Sequence, residues 1–305
     1  MEKFFKKIII FILFGTLIGE IISRIFVLTS DIPRREIDSF GIQKYIPNQY
    51  GFWKGGKHKW QINSNGWPGI LPKSRSNLIA IIGDSYIENF MNPDSCHQAI
   101  YLKNYFPENN FYEAARSGVS FIEAFEITKQ IDTLTPIYQL IYIQDSDFKE
   151  SILNIQKLND ITQLDLVEKK IVYGEIKSPG SKRILYEVKF LYYLYQKFIT
   201  NFSRKSNKTG KQEKKLNNNL KYKFYTELLK YTKDNYKIDN KILVFHPNSD
   251  SLIIAEAKRL GFNALLLDST GDKTWTFDYD AHWSCYGHEK AAKQVASFLV
   301  DLNNK

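Results

Sequence analysis

The sequence predicts an α/β protein in which a mostly parallel β-sheet carries helices on both faces. Apolar runs typical of buried strands recur along the chain, at Leu78 to Ile82, Phe111 to Ala115, Gln139 to Ile143, Lys241 to Phe245 and Ala264 to Leu267. Segments with helical spacing lie between them, which is the pattern of consecutive βαβ units. The 305 residues, 43% of them hydrophobic, are enough to bury a sizeable core.

Helices are expected to alternate with these strands, and polar residues follow the carboxyl ends of the strands. They are expected from about Tyr86, at Ser120 to Leu134, at about Ser249 to Leu260 with Gly261 as the stop, and at about Tyr286 to Leu302. In such sheets ligands bind at the carboxyl ends of the strands. Ser85 follows the first strand, Gly118 the second, and Asp145 to Asp147 the third.

Two stretches interrupt this regular pattern. Tyr45 to Pro72 is rich in Gly, Asn and Trp and predicts loops and short strands laid against the domain. The region 149–236 predicts a helical insertion with a mobile basic loop near 203–219. Within it, the tyrosine-rich run "YEVKFLYYLYQKF" favours a buried amphipathic helix.

The N-terminus predicts a membrane anchor in residues 1–30, followed by one domain in 31–305. Lysines precede a mostly apolar stretch that runs from Ile8 to Leu28 and is interrupted by Glu20 and Arg24. These two charges lie four residues apart, so they can meet on one helix face. A cleaved signal peptide is the competing interpretation, and it would need a small-residue cleavage site that is not evident. The preceding lysines favour a cytoplasmic N-terminus and an extracytoplasmic domain.

The net charge limits the classes of binding partner that the sequence favours. The net charge of +9 is spread along the chain and favours a basic solvated surface over nucleic-acid binding. Attraction to anionic lipid or glycan is also compatible with this charge.

Cys96 and Cys285 can pair in an exported protein, and the alternative is two separate thiols. Cys96 follows the helix after Ser85 and Cys285 follows His282 by three residues, so a site formed by Ser85 and His282 would bring the two cysteines close together.

Three polar residues form a candidate nucleophilic site. A serine hydroxyl needs a base, and the base needs an orienting partner. Ser85 stands on the turn in "AIIGDSY", and Asp280 and His282 stand two apart in "DYDAHWSCYGH". In an extended segment residues two apart point the same way, so the carboxylate can hold one imidazole nitrogen while the other faces the serine. Alone, Ser85 would be a turn residue.

These motifs together resemble the SGNH (GDSL) hydrolase family. "IIGDSY", the glycine of "ARSGVS" and "DAHWSCYGH" carry the resemblance, which covers roughly Ile62 to Leu302. "INSNGW" and the N-terminal segment resemble the membrane-anchored branch associated with surface-polysaccharide modification. The resemblance implies a flavodoxin-like fold, with Ser85 as nucleophile, His282 as base and Asp280 as orienting acid. It also implies the backbone amides of Ser85 and Gly118 as donors of the oxyanion hole.

Two positions depart from the family pattern. The family usually spaces its acid and base as D-x-x-H, so Asp278 is an alternative to Asp280 as the orienting acid. The family also places an Asn after the third strand as an oxyanion donor, where this chain has "IQDSDF". Ser146 stands at that position and Gln144 lies near it. Either side chain can supply a hydrogen bond, or the hole is incomplete.

The sequence therefore predicts an extracytoplasmic serine esterase acting on acetyl esters of a cell-surface polysaccharide. A polysaccharide O-acetyltransferase would use the same triad, and an idle glycan-binding scaffold in a polysaccharide-assembly complex is the alternative from another class. The expected partners are an acylated glycan or small ester and the membrane, with no nucleic acid. No metal or organic cofactor is implied.

Overall fold

The computed structural model describes residues 1–56, 58–200 and 218–304, which form two compact units. The first unit comprises Met1–Arg34, Tyr50–Lys59 and the described part of Ser178–Lys215. The second comprises Arg35–Gln49, Trp60–Lys177 and the described part of Leu216–Lys305. The predicted division into an anchor and a catalytic domain stays a prediction. The predicted basic loop near 203–219 lies, up to residue 217, outside the described residues.

The first unit is built on a long apolar helix. Helix α1 (Glu2–Ile25) is long and apolar enough to cross a membrane, with a mean hydropathy of 2.2 over its most apolar window. A signal sequence near the N-terminus has the same character. The Nε atom of Arg24 donates a hydrogen bond of 2.7 Å to Glu20, so the predicted pairing of these charges is confirmed.

The second unit contains a five-stranded sheet in which all neighbours are parallel. Its strands are β5 (Leu78–Gly83), β6 (Asn110–Ala115), β7 (Tyr138–Ile143), β10 (Lys241–Phe245) and β11 (Asn263–Leu266). Their spatial order, β6-β5-β7-β10-β11, is the flavodoxin-like order 2-1-3-4-5. The prediction of a mostly parallel sheet is thereby confirmed.

Short strands accompany this sheet. They are β1 (Arg35–Ile37), β2 (Gln43–Tyr45), β3 (Tyr50–Phe52), β4 (Lys59–Gln61), β8 (Gln163–Asp165), β9 (Lys170–Val172), β12 (Thr276–Phe277) and β13 (Asp280–Trp283). Three antiparallel ladders, β1–β2, β8–β9 and β12–β13, lie within the second unit. The last of them carries two of the predicted site residues.

Helices cover both faces of the five-stranded sheet, as predicted. Because side chains alternate along a strand, Ile79 and Ile81 face one cluster of buried residues, and Ala80 and Ile82 face the other. The Ile79 face packs against α3 (Gln98–Tyr105) and α10 (Cys285–Asn303). The opposite face packs against α4 (Phe121–Ile131), α8 (Asn218–Asn235) and α9 (Ser251–Arg259).

Two helices differ from the predicted boundaries. The helix predicted from about Tyr86 is only one turn, α2 (Ser85–Glu88), because Asn89 turns left-handed at its end with φ of 54°. The tyrosine-rich run is not one buried helix, which corrects that prediction. It divides into α6 (Pro179–Glu187), α7 (Lys189–Leu194) and a π-helical turn (Tyr195–Thr200), with Val188 extended between α6 and α7. Among its described side chains only Tyr192 is buried.

Candidate active site

Ser85 lies at the carboxyl end of β5, at the point where the strand order reverses. The two neighbours of β5 are β6 and β7, so a crevice opens between the connections that leave β5 and β7. Gly83 and Asp84 make the turn, and Asp84 caps α2 by accepting a hydrogen bond of 3.0 Å from the amide of Tyr86. This turn leaves the Ser85 side chain half-buried at the start of α2.

His282 and Asp280 lie on β13 and complete a hydrogen-bonded chain with Ser85. The Nε2 atom of His282 is 2.8 Å from Oγ of Ser85. Its Nδ1 atom is 2.5 Å from Oδ1 of Asp280, which also accepts a hydrogen bond of 3.0 Å from the amide of His282. The structure thus brings the three predicted residues together. Asp278 is exposed and is not the carboxylate that contacts the imidazole.

The surroundings of Asp280 favour its ionised form beside the His282 imidazole. Partial burial opposes the charge on Asp280, but the hydrogen bonds from the side chain and backbone of His282 and its Coulombic attraction lower the pKa of the carboxyl below its ordinary value. With Asp280 as acceptor, Nδ1 carries the proton and Nε2 is left free to accept the hydroxyl proton of Ser85.

An aromatic wall holds the imidazole in place. The Tyr86 ring packs against the His282 ring with centroids 4.7 Å apart, and it meets His246 edge-on at 4.2 Å. Trp283 lies beneath them, 4.6 Å from His246. Burial, followed by the neighbouring His282, lowers the pKa of His246 to about 3, so His246 stays neutral. The Trp283 side chain is itself buried.

Behind Ser85, two buried carboxyls are connected through Gln144. The Nε2 atom of Gln144 donates to Asp84 at 3.0 Å, and its backbone amide donates to Asp147 at 2.8 Å. Burial is the main cause that raises the pKa of Asp84 to about 6 and the pKa of Asp147 well above its ordinary value, and repulsion between the two adds to it for Asp147. Gln144 therefore ties the turn after β5 to the turn after β7.

The backbone amides of Ser85 and Gly118, the predicted oxyanion donors, make no hydrogen bond to a protein acceptor within residues 1–56, 58–200 and 218–304, and their role stays a prediction. Gly118 has a φ of +78°, which glycine adopts without strain and other residues adopt rarely. An unpaired N–H at the mouth of a site is the group that stabilises charge on a carbonyl oxygen.

The loop that carries Gly118 is fixed by buried charges. Glu88 is buried on α2 and accepts hydrogen bonds from the amide of Ser117 at 2.7 Å, from the Ser117 hydroxyl at 2.5 Å and from the Tyr45 hydroxyl. Arg116 is also buried, donates to the Ser117 carbonyl at 2.6 Å and pairs with Glu123 at 2.6 Å. The Glu88 carboxylate therefore links α2, which begins at Ser85, to the loop that carries Gly118.

Ser146 and Gln144, the two predicted side-chain donors, differ in their surroundings. Ser146 is exposed in the first turn of α5 (Asp145–Glu150). With Gln144, Tyr86 and His246 it lines a cavity of about 620 Å³ beside the triad. The amide of Gln144 already donates to Asp84. The role of Ser146 in an oxyanion hole stays a prediction.

A disulfide ties the two site segments together. Cys96 and Cys285 are bonded, with Cα atoms 5.1 Å apart across 189 positions of sequence, so the predicted proximity is confirmed. Asn89, at the end of α2, donates a hydrogen bond of 2.9 Å to the carbonyl of Cys96. Asn92 donates one of 2.9 Å to the carbonyl of Trp283. The segment that follows Ser85 is thus fastened to the one that carries His282.

Local sequence patterns predict Ser85, Asp280 and His282 but do not predict the residues that support them. Glu88 lies three positions after Ser85, but its partner Ser117 is 29 residues away, and no local pattern signals that contact. Tyr86 belongs to the motif "AIIGDSY", but no local pattern predicts its packing on His282. In the described part of the chain, no group of three or more His, Cys, Asp and Glu side chains is arranged to hold a metal ion.

Solved structures that resemble this chain at low identity include the following three. The crystal structure of TesA is 8% identical, with a TM-score of 0.42, over 74% of this chain and 99% of that one. A family two carbohydrate esterase from Clostridium thermocellum, in complex with cellohexaose, is 12% identical with a TM-score of 0.39, over 79% and 68%. A protein proposed to be a lipolytic member of the G-D-S-L family, from Desulfitobacterium hafniense DCB-2, is 9% identical with a TM-score of 0.39, over 73% and 99%.

No family model and no curated protein matches the chain. At these identities and TM-scores, the similarity to the three structures carries no inference about function. An inference about function therefore rests on the geometry of the side chains at the site.

Proposed function

We propose that this chain is an SGNH-type serine esterase that acts through an acyl-serine, outside the cytoplasm, on acetyl esters of a cell-surface polysaccharide. The observation that carries the proposal is the continuous hydrogen-bonded chain from Ser85 Oγ through His282 to Asp280, with distances of 2.8 and 2.5 Å. A serine, an imidazole and a carboxylate in this order are the parts that activate a hydroxyl for attack on a carbonyl.

The proposed reaction has two halves. In the first, Ser85 Oγ attacks the ester carbonyl while its proton passes to Nε2 of His282, and the resulting tetrahedral oxyanion faces the amides of Ser85 and Gly118. The carbon–oxygen bond to the leaving alcohol then breaks, and the alcohol takes the proton from His282. In the second half, water gives a proton to His282 and adds to the acyl-serine carbonyl; the bond from the acyl carbon to Ser85 Oγ then breaks, Oγ takes the proton back from His282, and the acid leaves.

The location and substrate class rest on further features. Disulfides such as Cys96–Cys285 form and persist in oxidising compartments, which supports an exported domain. Helix α1 supports a single membrane anchor with lysines on its cytoplasmic side. The cavity beside the triad is lined mostly by polar side chains, among them Asn248, Ser249 and Ser269, which suits the hydroxyls of a sugar. A reporter fused after Lys305 is expected to register as extracytoplasmic.

The proposal is tested by turnover of the purified full chain on 4-nitrophenyl acetate and on an acetylated oligosaccharide. Wild type is expected to release acetate, and Ser85→Ala to lose activity by a factor on the order of 10⁴ to 10⁶. Adding His282→Ala to Ser85→Ala should cost little more, since the groups act as a unit. Ser297→Ala, an exposed serine on α10, is the matched control and should keep wild-type turnover.

The same assay separates the alternatives. Acetyl transfer to an added sugar acceptor, dependent on Ser85, would change the reaction name to O-acyltransferase and keep the acyl-serine. A wild-type protein that is folded, binds the oligosaccharide and turns over neither ester would instead be a glycan-binding scaffold, and the proposed chemistry would be wrong.

A further inference from the structure

The segment from α6 to the π-helical turn has apolar side chains exposed to solvent. Its exposed apolar residues include Ile184, Leu191 and Phe198, of which Phe198 is 69% exposed. Leu191 and Tyr195 are spaced i and i+4 across the junction of α7 and the π-helical turn, so they lie close together on the segment. Large apolar residues gathered on an exposed surface mark a surface that is covered by something else.

Cations border these apolar residues. Lys182, Arg183 and Lys197 are exposed on the same segment. A helical element with exposed apolar side chains, tyrosines and flanking Lys and Arg has the composition of a segment that lies in a membrane interface. Arg183 also forms an ion pair with Glu187 on the same segment at 2.9 Å.

Helix α7 is held against α1 by hydrogen bonds and an ion pair. Since α1 is the candidate membrane-spanning helix, this contact indicates that the surface covering the segment is a membrane. The Glu20 carboxylate accepts hydrogen bonds from the amides of Lys189 at 3.2 Å and Phe190 at 2.8 Å, which open α7. Arg24 donates to the carbonyl of Glu187 at 2.8 Å, where α6 ends. Lys189 forms an ion pair with Asp31 at 2.6 Å.

Gly19 makes this contact close. A Cβ atom at Gly19 would lie 2.7 Å from the ring carbons of Phe190, nearer than real Cβ atoms approach. By contrast, Gly15, one turn earlier, has nothing within 4 Å of the same position. The aromatic ring of α7 therefore packs on the helix backbone at Gly19.

The level of the contact along α1 fits the outer half of a membrane. With a rise of about 1.5 Å per residue, Glu20 lies about 18 Å and Arg24 about 24 Å beyond Ile8, so the contact reaches to within about 6 Å of the outer boundary of a hydrocarbon core about 30 Å thick. A charged pair at that depth needs polar partners. The backbone groups of Glu187, Lys189 and Phe190 supply them.

We infer that α6, α7 and the π-helical turn form an interfacial platform that lies on the outer leaflet of the bilayer that α1 crosses. The partner is a phospholipid surface, and α1 is a retained structural part of the protein rather than a removable leader. This inference rests on the proposed membrane anchor and is independent of the esterase chemistry.

The test uses the full chain in vesicles of phosphatidylcholine and phosphatidylglycerol at a ratio of about 3:1. The two native cysteines are bonded to each other, so a single introduced cysteine takes a nitroxide label selectively. Ile184→Cys, Leu191→Cys and Phe198→Cys are labelled, and Val167→Cys, at a site 76% exposed in the second unit, is the control. Collision with oxygen, which partitions into lipid, is compared with collision with a water-soluble nickel chelate.

The three platform labels are expected to favour oxygen by at least several-fold, and the Val167→Cys label to favour nickel. Gly19→Leu should move the Leu191→Cys and Phe198→Cys labels toward nickel, and Gly15→Leu should leave them unchanged. Nickel-favouring labels at all three platform sites would overturn the inference. Labels shielded from both reagents would also overturn it, since a protein partner would then cover the segment. So would loss of α1 from the mature membrane protein, measured by intact mass.

Discussion

The Nε2 atom of His282 lies 2.8 Å from Oγ of Ser85, although 197 residues separate the two in sequence. The contact joins the turn after the first strand of the sheet to the short β12–β13 ladder that precedes the last helix. The Cys96–Cys285 disulfide and the Asn92–Trp283 hydrogen bond link the same two segments. The proposed nucleophile and base are thus held by three separate attachments.

The geometry assigns the orienting acid to Asp280, and two matched variants test this. Asp280→Asn should lower kcat by about 10⁴, because an amide can hold the imidazole in the wrong tautomer. Asp278→Asn, two residues earlier and exposed, should keep near-wild-type turnover. Steady-state kinetics on an acetyl ester measure both. Equal losses in the two variants, or a larger loss in Asp278→Asn, would show that the wrong carboxylate has been assigned.

Asp84 should make stability depend on pH. Its folded-state pKa of about 6 lies above its ordinary value of 3.8. Between these values the folded protein holds a proton that the unfolded chain releases, so the free energy of unfolding falls as pH rises. Above pH 6 this cost, about 3 kcal/mol for a shift of this size, is fully present.

Asp84→Asn removes that titration. The free energy of unfolding of wild type minus that of Asp84→Asn should therefore fall between pH 4 and 6.5, as measured by urea denaturation. Asp278→Asn serves as the control for an exposed carboxyl. A wild-type minus Asp84→Asn difference that stays flat across this range would contradict the assigned effect of burial.

The disulfide should stabilise the site as well as the fold. Closing a loop of this length is worth about 5 kcal/mol on the chain-entropy account, and removal of a native disulfide typically costs about 2–5 kcal/mol. The double variant Cys96→Ser/Cys285→Ser should lose stability in that range, and reductant should lower the Tm of wild type but not of the variant. Turnover should also fall, since Cys285 lies three residues after His282. A variant as stable as wild type would mean that the other contacts suffice.

Ser146 should limit the oxyanion hole if it stands where an asparagine donor is expected. A serine hydroxyl is shorter than an asparagine amide and can rotate away, so it is a poorer fixed donor. One preorganised side-chain donor is worth a factor of about 10² to 10³ in turnover. Ser146→Asn should therefore raise kcat on acetyl esters and change KM little.

The control for this gain is Ser297→Asn, a surface substitution on α10 that should leave kcat unchanged. An unchanged or lower rate for a folded Ser146→Asn would contradict the predicted role of Ser146. Gln144 would then be the next candidate, although its amide already donates to Asp84.

The sheet could be predicted because its signals are local. Strand β10 runs from Lys241 to Phe245 as predicted, and β5 differs by one residue at Gly83. Buried parallel strands appear as continuous apolar runs, and each run ends where polar turn residues begin. The two-residue spacing of Asp280 and His282 likewise fixed their common direction on β13.

The elements that could not be predicted depend on distant contacts. The break at Val188 coincides with Glu20 accepting the next two amides, some 170 positions apart in sequence. The hydrogen bonds between Glu88 and Ser117 and between Gln144 and Asp84 likewise join segments that meet only once the sheet has formed. Tertiary contacts of this kind leave no periodic trace in the chain.

The central claim is that Ser85 is an activated nucleophile, and a fluorophosphonate probe tests it most directly. The probe should add once to folded wild type, and peptide mass spectrometry should place the adduct on Ser85. Ser85→Ala should take no label, His282→Ala should label far more slowly, and Ser297→Ala should label as wild type does. A folded wild-type protein that takes no adduct, or takes it on another serine, would contradict the account.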